Sequence, residues 1–221
     1  PEDVTSGTAP TTETPTTPTE PTTTIAPQPL PARDMVIPAG FYLTNSFQPR
    51  FTGTFDEGWK MRLEVSDFIE FGVSDGGREL LSVLRTTRPL RRDATFPSLA
   101  EARQPSSTEA PATDPIAWLR SNSNLTVSPS TSATRAGRRG VQVDITVTGY
   151  STDYCDGIPC APLFRIGDSG VFTLLEGNMN RLYALDVGGA PVLIVIEAPP
   201  DRFGAFSEKA ERVIATMAFQ G

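Results

Sequence analysis

Apolar and polar positions alternate most regularly from Gly140 onward, where Val141, Val143, Ile145 and Val147 face one way and Gln142, Asp144 and Thr146 the other. A period of two is that of a half-buried strand, because successive side chains point to opposite faces. The segment "DEGWKMRLEVSDFIEFGV" predicts two more strands, with Trp59, Met61 and Leu63 alternating, as do Phe68 with Glu70 and Ile69 with Phe71. Ahead of it, "MVIPAGFYLTNSFQPRFTGTF" predicts short strands that send Phe41, Leu43, Phe51 and Phe55 to the core. "GGRELLSVLR" fits a strand or a short helix, since Leu80, Leu81 and Leu84 allow either. The last third predicts a meander of "LFRI", "GVFTLL", "RLYALDV" and "PVLIVIEA", with turns at Glu176-Gly177-Asn178 and Gly188-Gly189. The unbroken run Val192 to Ile196 predicts a strand covered on both faces.

Two stretches carry a helical period instead. In "TDPIAWLRSN", Asp114 is placed to cap, Pro115 suits the first helical position, and Trp118 and Leu119 face inward. In "AFSEKAERVIATMAF", Ala210, Val213, Ile214 and Met217 fall three and four residues apart, with Ser207 a candidate cap. Residues 86–113, rich in Pro, Ser, Thr and Arg, read as a long surface excursion. The expected class is α+β: an antiparallel sheet covered by helices, a helix-sheet-helix sandwich, in one domain over residues 35–221.

Composition changes the picture mainly at the start. Residues 1–34 are dominated by Thr, Pro and Glu, with Ile25 and Leu30 as the large apolar residues of the stretch from Thr8 to Arg33. Such a segment cannot offset the entropy of ordering its backbone, so it reads as a disordered, extended stalk. Five carboxylates against Arg33 alone also place more than half of the net charge of −7 there. The rest is close to balanced and has no global field for nucleic acid. No apolar run reaches the roughly 18 residues that span a bilayer.

The tetrapeptide Gly167-Asp168-Ser169-Gly170 matches the surroundings of a trypsin-like nucleophile, but the chain has no histidine to take the serine proton. The two lysines, Lys60 and Lys209, are not in a Ser-x-x-Lys setting. Ser169 is therefore read as a turn residue. Cys155 and Cys160, in "YCDGIPC", are expected to form a structural disulfide, which suits an oxidising compartment. Their spacing is not that of a redox pair, and two thiols without histidine make a poor zinc site.

The candidate binding residues are basic: Arg88, Arg91 and Arg92 in one run with Arg85, and Arg138 and Arg139 in another with Arg135. Converged, they would hold an anionic polymer, a lipid head group or an acidic protein; apart, they are solvated loops. Replacing Arg91 and Arg92 is expected to reduce retention on anionic cell-wall polymer. No aromatics interleave the runs, which argues against single-stranded nucleic acid. Asp153, Asp156 and Asp168 do not have the spacing of a calcium loop. Glu64, Asp67 and Glu70 would serve glycoside chemistry only if carboxylates converged across a cleft. No catalytic set, metal or cofactor is expected.

The opening "PAGFYLTNSFQPRFTGTFDEGW" resembles the Gly-Tyr, Phe-x-Pro, Gly-Trp pattern of exported lipoproteins of GC-rich bacteria. The closing helix with "MAF", after two hydrophobic strands, is similar to the PsbP-like fold, over most of residues 38–220. The resemblance implies a helix-sheet-helix sandwich, an accessory or protein-binding role and no catalytic residues; segment 86–113 and the cysteine loop depart from it. The expectation is an exported, membrane-tethered, non-catalytic module that binds an envelope protein or anionic polymer. Membrane contact would come only through a tether upstream. The alternatives are a carboxylate hydrolase around residues 64–70 or 144–168, and a sensory ectodomain of a larger envelope protein.

Overall fold

The period-two segments do become strands, and a computed structural model describes residues 26–73, 77–86, 88–91, 99–149, 151–155, 158–168 and 170–220. Strands β1 (Gln28–Pro29), β2 (Val36–Ile37), β3 (Gly40–Leu43), β4 (Phe51–Phe55), β5 (Trp59–Val65), β6 (Phe68–Val73) and β7 (Leu80–Arg85) come first. Helices α1 (Leu99–Ala102) and α2 (Pro115–Arg120) follow, with a 3-10 turn at Pro105–Ser107. Then come β8 (Leu125–Val127), β9 (Thr131–Arg135), β10 (Arg138–Val147), β11 (Ser151–Cys155), β12 (Ile158–Ile166) and β13 (Gly170–Leu175). The chain closes with β14 (Met179–Val187), β15 (Ala190–Ala198), α3 (Pro200–Thr216) and β16 (Ala218–Phe219).

The frame is one large antiparallel sheet in the order β2-β5-β6-β7-β15-β14-β10-β8, with β9 also paired to β10. Its central strand β15 is buried on both faces, which is why Val192 to Ile196 runs unbroken. One face packs against α3 and the small sheet β1-β3-β4-β16, enclosing Trp59, Phe71, Val83, Ile194, Phe206 and Ile214. The other packs against α2 and the separate sheet β11-β12-β13, enclosing Phe68, Leu84, Trp118, Phe164, Phe172 and Val195. The result is sheet-dominated. The expected helix-sheet-helix sandwich is corrected accordingly: α3 shares the first face with the small sheet, and the second face is covered by the β11-β12-β13 sheet with the six-residue α2 beside it.

Several elements depart from the period reading for identifiable reasons. In β3 the core residue is Tyr42, not Phe41 or Leu43: Tyr42 lies opposite Gly53 of β4, and its hydroxyl donates to the Pro38 carbonyl. In β5 the pairing with β6 shifts between Met61 and Leu63, so Met61 stays with the α3 core while Leu63 joins the opposite one. A bulge of this kind adds a residue, here Arg62, and reverses the faces beyond it. The meander breaks after β13, which pairs with β12 and not with β14. Helix α3 starts at Pro200 rather than Ser207, and Ser207 is buried within it. The Asp114 cap is as expected, its Oδ1 accepting from Ile116 N at 2.9 Å and Ala117 N at 3.0 Å.

One boundary reading gains detail and one changes. The described residues of 86–113 lie largely at the surface but are anchored: Leu90 and Ala102 are buried beside Cys160, and Leu90 N donates to Leu163 O at 2.8 Å. The extended reading of residues 1–34 does not hold at its end, where β1 pairs in parallel with β3 and Leu30 is buried. Cys155 and Cys160 are joined, with 6.3 Å between their Cα atoms, across the β11–β12 hairpin.

Candidate ligand pocket

The residues that combine chemistry with a cavity lie where the large sheet meets β13. Strands β6, β7 and β15 are adjacent, and on the face toward β13 they carry Phe68, Glu70, Leu80 and Glu197. The bulged β5 adds Leu63, and β12–β13 supplies Ile166, Val171, Phe172 and Leu175. Together with Arg103, just past α1, they enclose a cavity of about 300 Å³. Its walls are chiefly apolar and its polar groups few, the usual composition of a small-molecule site.

Glu197 is the deepest of those groups, 3% exposed. Its Oε1 accepts from Leu175 N at 3.0 Å and Asn178 Nδ2 at 2.9 Å, so it ties the end of β13 and the following turn to β15. Among the described residues no hydrogen bond reaches Oε2. Burial pushes its pKa up to about 7, against those two hydrogen bonds; the Glu70 charge adds to the rise and Arg78 opposes it. Glu70 is raised as well, again chiefly by burial, with Arg62, the Ser82 hydroxyl and Arg33 pulling the other way. Ser82, directly opposite Glu70 on β7, donates to its Oε2 at 3.5 Å. Two carboxyl groups whose charged forms are disfavoured thus share one apolar enclosure.

The other carboxylates named from sequence do not join them. Glu64 is a loop anchor, accepting from Ser46 N at 2.6 Å, Phe47 N at 3.1 Å and Asn45 Nδ2 at 3.1 Å. Asp67 accepts from Arg88 Nη2 at 2.5 Å and from Gly167 N at 2.8 Å. Asp144 pairs with Arg181 at 3.0 Å. Asp168 is exposed, whereas Asp156 and the side chain of Asp153 lie outside the described residues. Among the described residues no group of three or more metal-ligating side chains gathers. Ser169 also lies outside them; its neighbours Ile166 and Gly170 face each other across the β12–β13 turn.

The arginines are dispersed. Arg88 is held by Asp67 and by the Gly167 carbonyl at 2.5 Å, a clamp between the β5–β6 turn and the β12–β13 turn. Arg91 is exposed, and Arg92 lies outside the described residues. Arg138 is half-buried opposite Arg135, whose guanidinium pairs with Glu211 at 2.8 Å. Arg139 is exposed beside a shallow groove that also contains Asp186. Strand β10, which Arg138 and Arg139 open, is three places from β7 in the sheet, roughly 14 Å at about 4.8 Å per strand. Sequence reasoning found Glu70 but missed Glu197. The signal available was a carboxylate closing an apolar run, where both faces of the strand are covered.

No family model matches the chain, and no curated protein matches it. Among solved structures, a crystal structure from Bacteroides thetaiotaomicron aligns with a TM-score of 0.38 and 11% identity, over 77% of this chain and 45% of that one. The chain thus spans less than half the length of that protein. The solution structure of cyanobacterial PsbP (CyanoP) from Synechocystis aligns with a TM-score of 0.42 and 11% identity, over 87% of this chain and 100% of that one. Likenesses of this size carry no argument about family or function.

Proposed function

We propose that this protein is an exported, non-catalytic binding module of the bacterial envelope that holds a small ligand between its large sheet and the β12–β13 hairpin. The observation that carries the reading is the apolar-walled cavity onto which the buried Glu197 opens. A buried polar group at the floor of a concave apolar site fixes a ligand's orientation, and the surrounding walls supply the affinity. Against turnover stand the lack of any histidine and the fixed position of Glu197 Oε1 within two hydrogen bonds. Export is supported by the Cys155–Cys160 bond, since such bridges persist in oxidising compartments. The Thr/Pro-rich leading segment would then act as a spacer from an upstream anchor.

The test is native mass spectrometry of protein isolated from its own envelope, beside a Leu80→Trp variant that fills the cavity. A bound small molecule present in the first and missing from the second is expected. The same molecule retained by both would overturn the pocket as the site. For export, alkylation without reductant should leave both cysteines unlabelled; two labelled thiols in freshly isolated protein would remove that part.

A further inference from the structure

Resting on the pocket reading above, we infer that the ligand is an organic monocation with an apolar body, an ammonium head that sits between Glu70 and Glu197. Three features of the enclosure converge on this chemistry. First, the polar lining is predominantly acidic: of the charged residues on the cavity wall, Glu70 and Glu197 stand against Arg103 alone, and Arg103 is exposed at the surface end of its segment. Second, the acidic groups are set among Leu63, Phe68, Ile166 and Phe172, so a ligand reaching them must bring its own apolar surface. Third, Glu197 is almost wholly buried yet lines the cavity, and its hydrogen bonds from Leu175 N and Asn178 Nδ2 both fall on Oε1. Burying a carboxylate without a counter-charge is costly, and an ammonium group both neutralises it and donates hydrogen bonds.

The basic neighbours oppose the effect of burial on the two carboxylates and favour their ionised forms. Arg62 lies over Gly72 beside Glu70, and Arg33 and Arg78 act at longer range; none of the three lines the cavity. Across β15, the polar groups that meet Glu197 are Leu175 N and Asn178 Nδ2, both of which donate to Oε1. The rings of Phe68 and Phe172, 5.8 Å apart and packed on each other, form part of the apolar wall.

Binding a cation to the ionised form links affinity to pH. With the Glu197 pKa at about 7, an ammonium ligand must displace a proton below that value. Affinity should therefore fall about tenfold between pH 8 and pH 6 and release close to one proton at pH 6. The experiment is isothermal titration of the full chain with benzylamine, benzyl alcohol and benzoate at both pH values, repeated on Glu197→Gln and Leu80→Trp. The expected result is that benzylamine binds and binds more tightly at pH 8. Benzyl alcohol and benzoate should bind at least tenfold more weakly, and both substitutions should abolish benzylamine binding while circular dichroism stays unchanged. Should either variant lose its fold, chemical-shift changes of wild-type Leu175 and Asn178 on adding benzylamine replace it as the reporter. Benzyl alcohol or benzoate binding as tightly as the amine would overturn the cation assignment while leaving the pocket as a binding site. No binding of any of the three would overturn the assignment outright, with the native-ligand comparison of wild type and Leu80→Trp still deciding the pocket itself.

Discussion

A carboxyl group that prefers its proton makes folding depend on pH in a direction opposite to that of most acids. Glu197 has a pKa of about 7 in the folded chain and an ordinary value near 4.5 when unfolded. Between those values the folded state binds more protons, so stability is greatest below about pH 4.5 on this account and declines as pH rises through 7. At the alkaline end the loss is about 3 kcal/mol, from roughly 1.4 kcal/mol per pKa unit. Glu197→Gln keeps an oxygen for Leu175 and Asn178 but cannot ionise. Its melting temperature at pH 8 should exceed wild type by several degrees and match it near pH 5; the reverse order in calorimetry would discard this account. A second residue-scale expectation concerns the clamp at Asp67. Arg88→Ala leaves that largely buried carboxylate with only Gly167 N, and should cost about 2 kcal/mol in urea unfolding. A change within a few tenths would mean that Arg88 is a solvated loop residue after all.

Elements show where one-dimensional rhythm suffices. The period of two located β10, β14 and β15 because each crosses the sheet without interruption, and a cap plus a proline located α2. Rhythm failed at β5 because a bulge is invisible to it: the extra residue, Arg62, moves Leu63 from the expected core to the pocket wall. It failed at Tyr42 because pairing opposite Gly53 decides which side of β3 is inward, and pairing is non-local. Glu70 was legible as a candidate but Glu197 was not, since the two line one cavity only once β6, β7 and β15 pair in that order. The hairpin β11–β12 lends itself to a direct test. Its bridge closes a short loop, so a Cys155→Ser, Cys160→Ser double variant should lose about 2 kcal/mol on the chain-entropy account. Thermal unfolding of wild type with and without reductant measures the same quantity, and identical curves would show that the bridge adds nothing.

At the scale of the whole molecule, three arrays of strands are fastened at a few places. The small sheet is entered through β1, the one parallel strand of its array, and Leu30 seats that strand in the core. Deleting residues 1–34 should therefore lower the melting temperature by several degrees relative to deletion of residues 1–25 alone; equal values would place Leu30 outside the fold. The outer sheet is fastened differently, by Glu197 reaching from the large sheet to the amide of Leu175 at the far end of β13. That rivet and the cavity floor are one and the same carboxyl group. Whatever settles in the enclosure will consequently be felt at a backbone nitrogen on the opposing wall. The hydrogen-exchange rate of that single amide becomes a built-in gauge of occupancy, readable without label or dye.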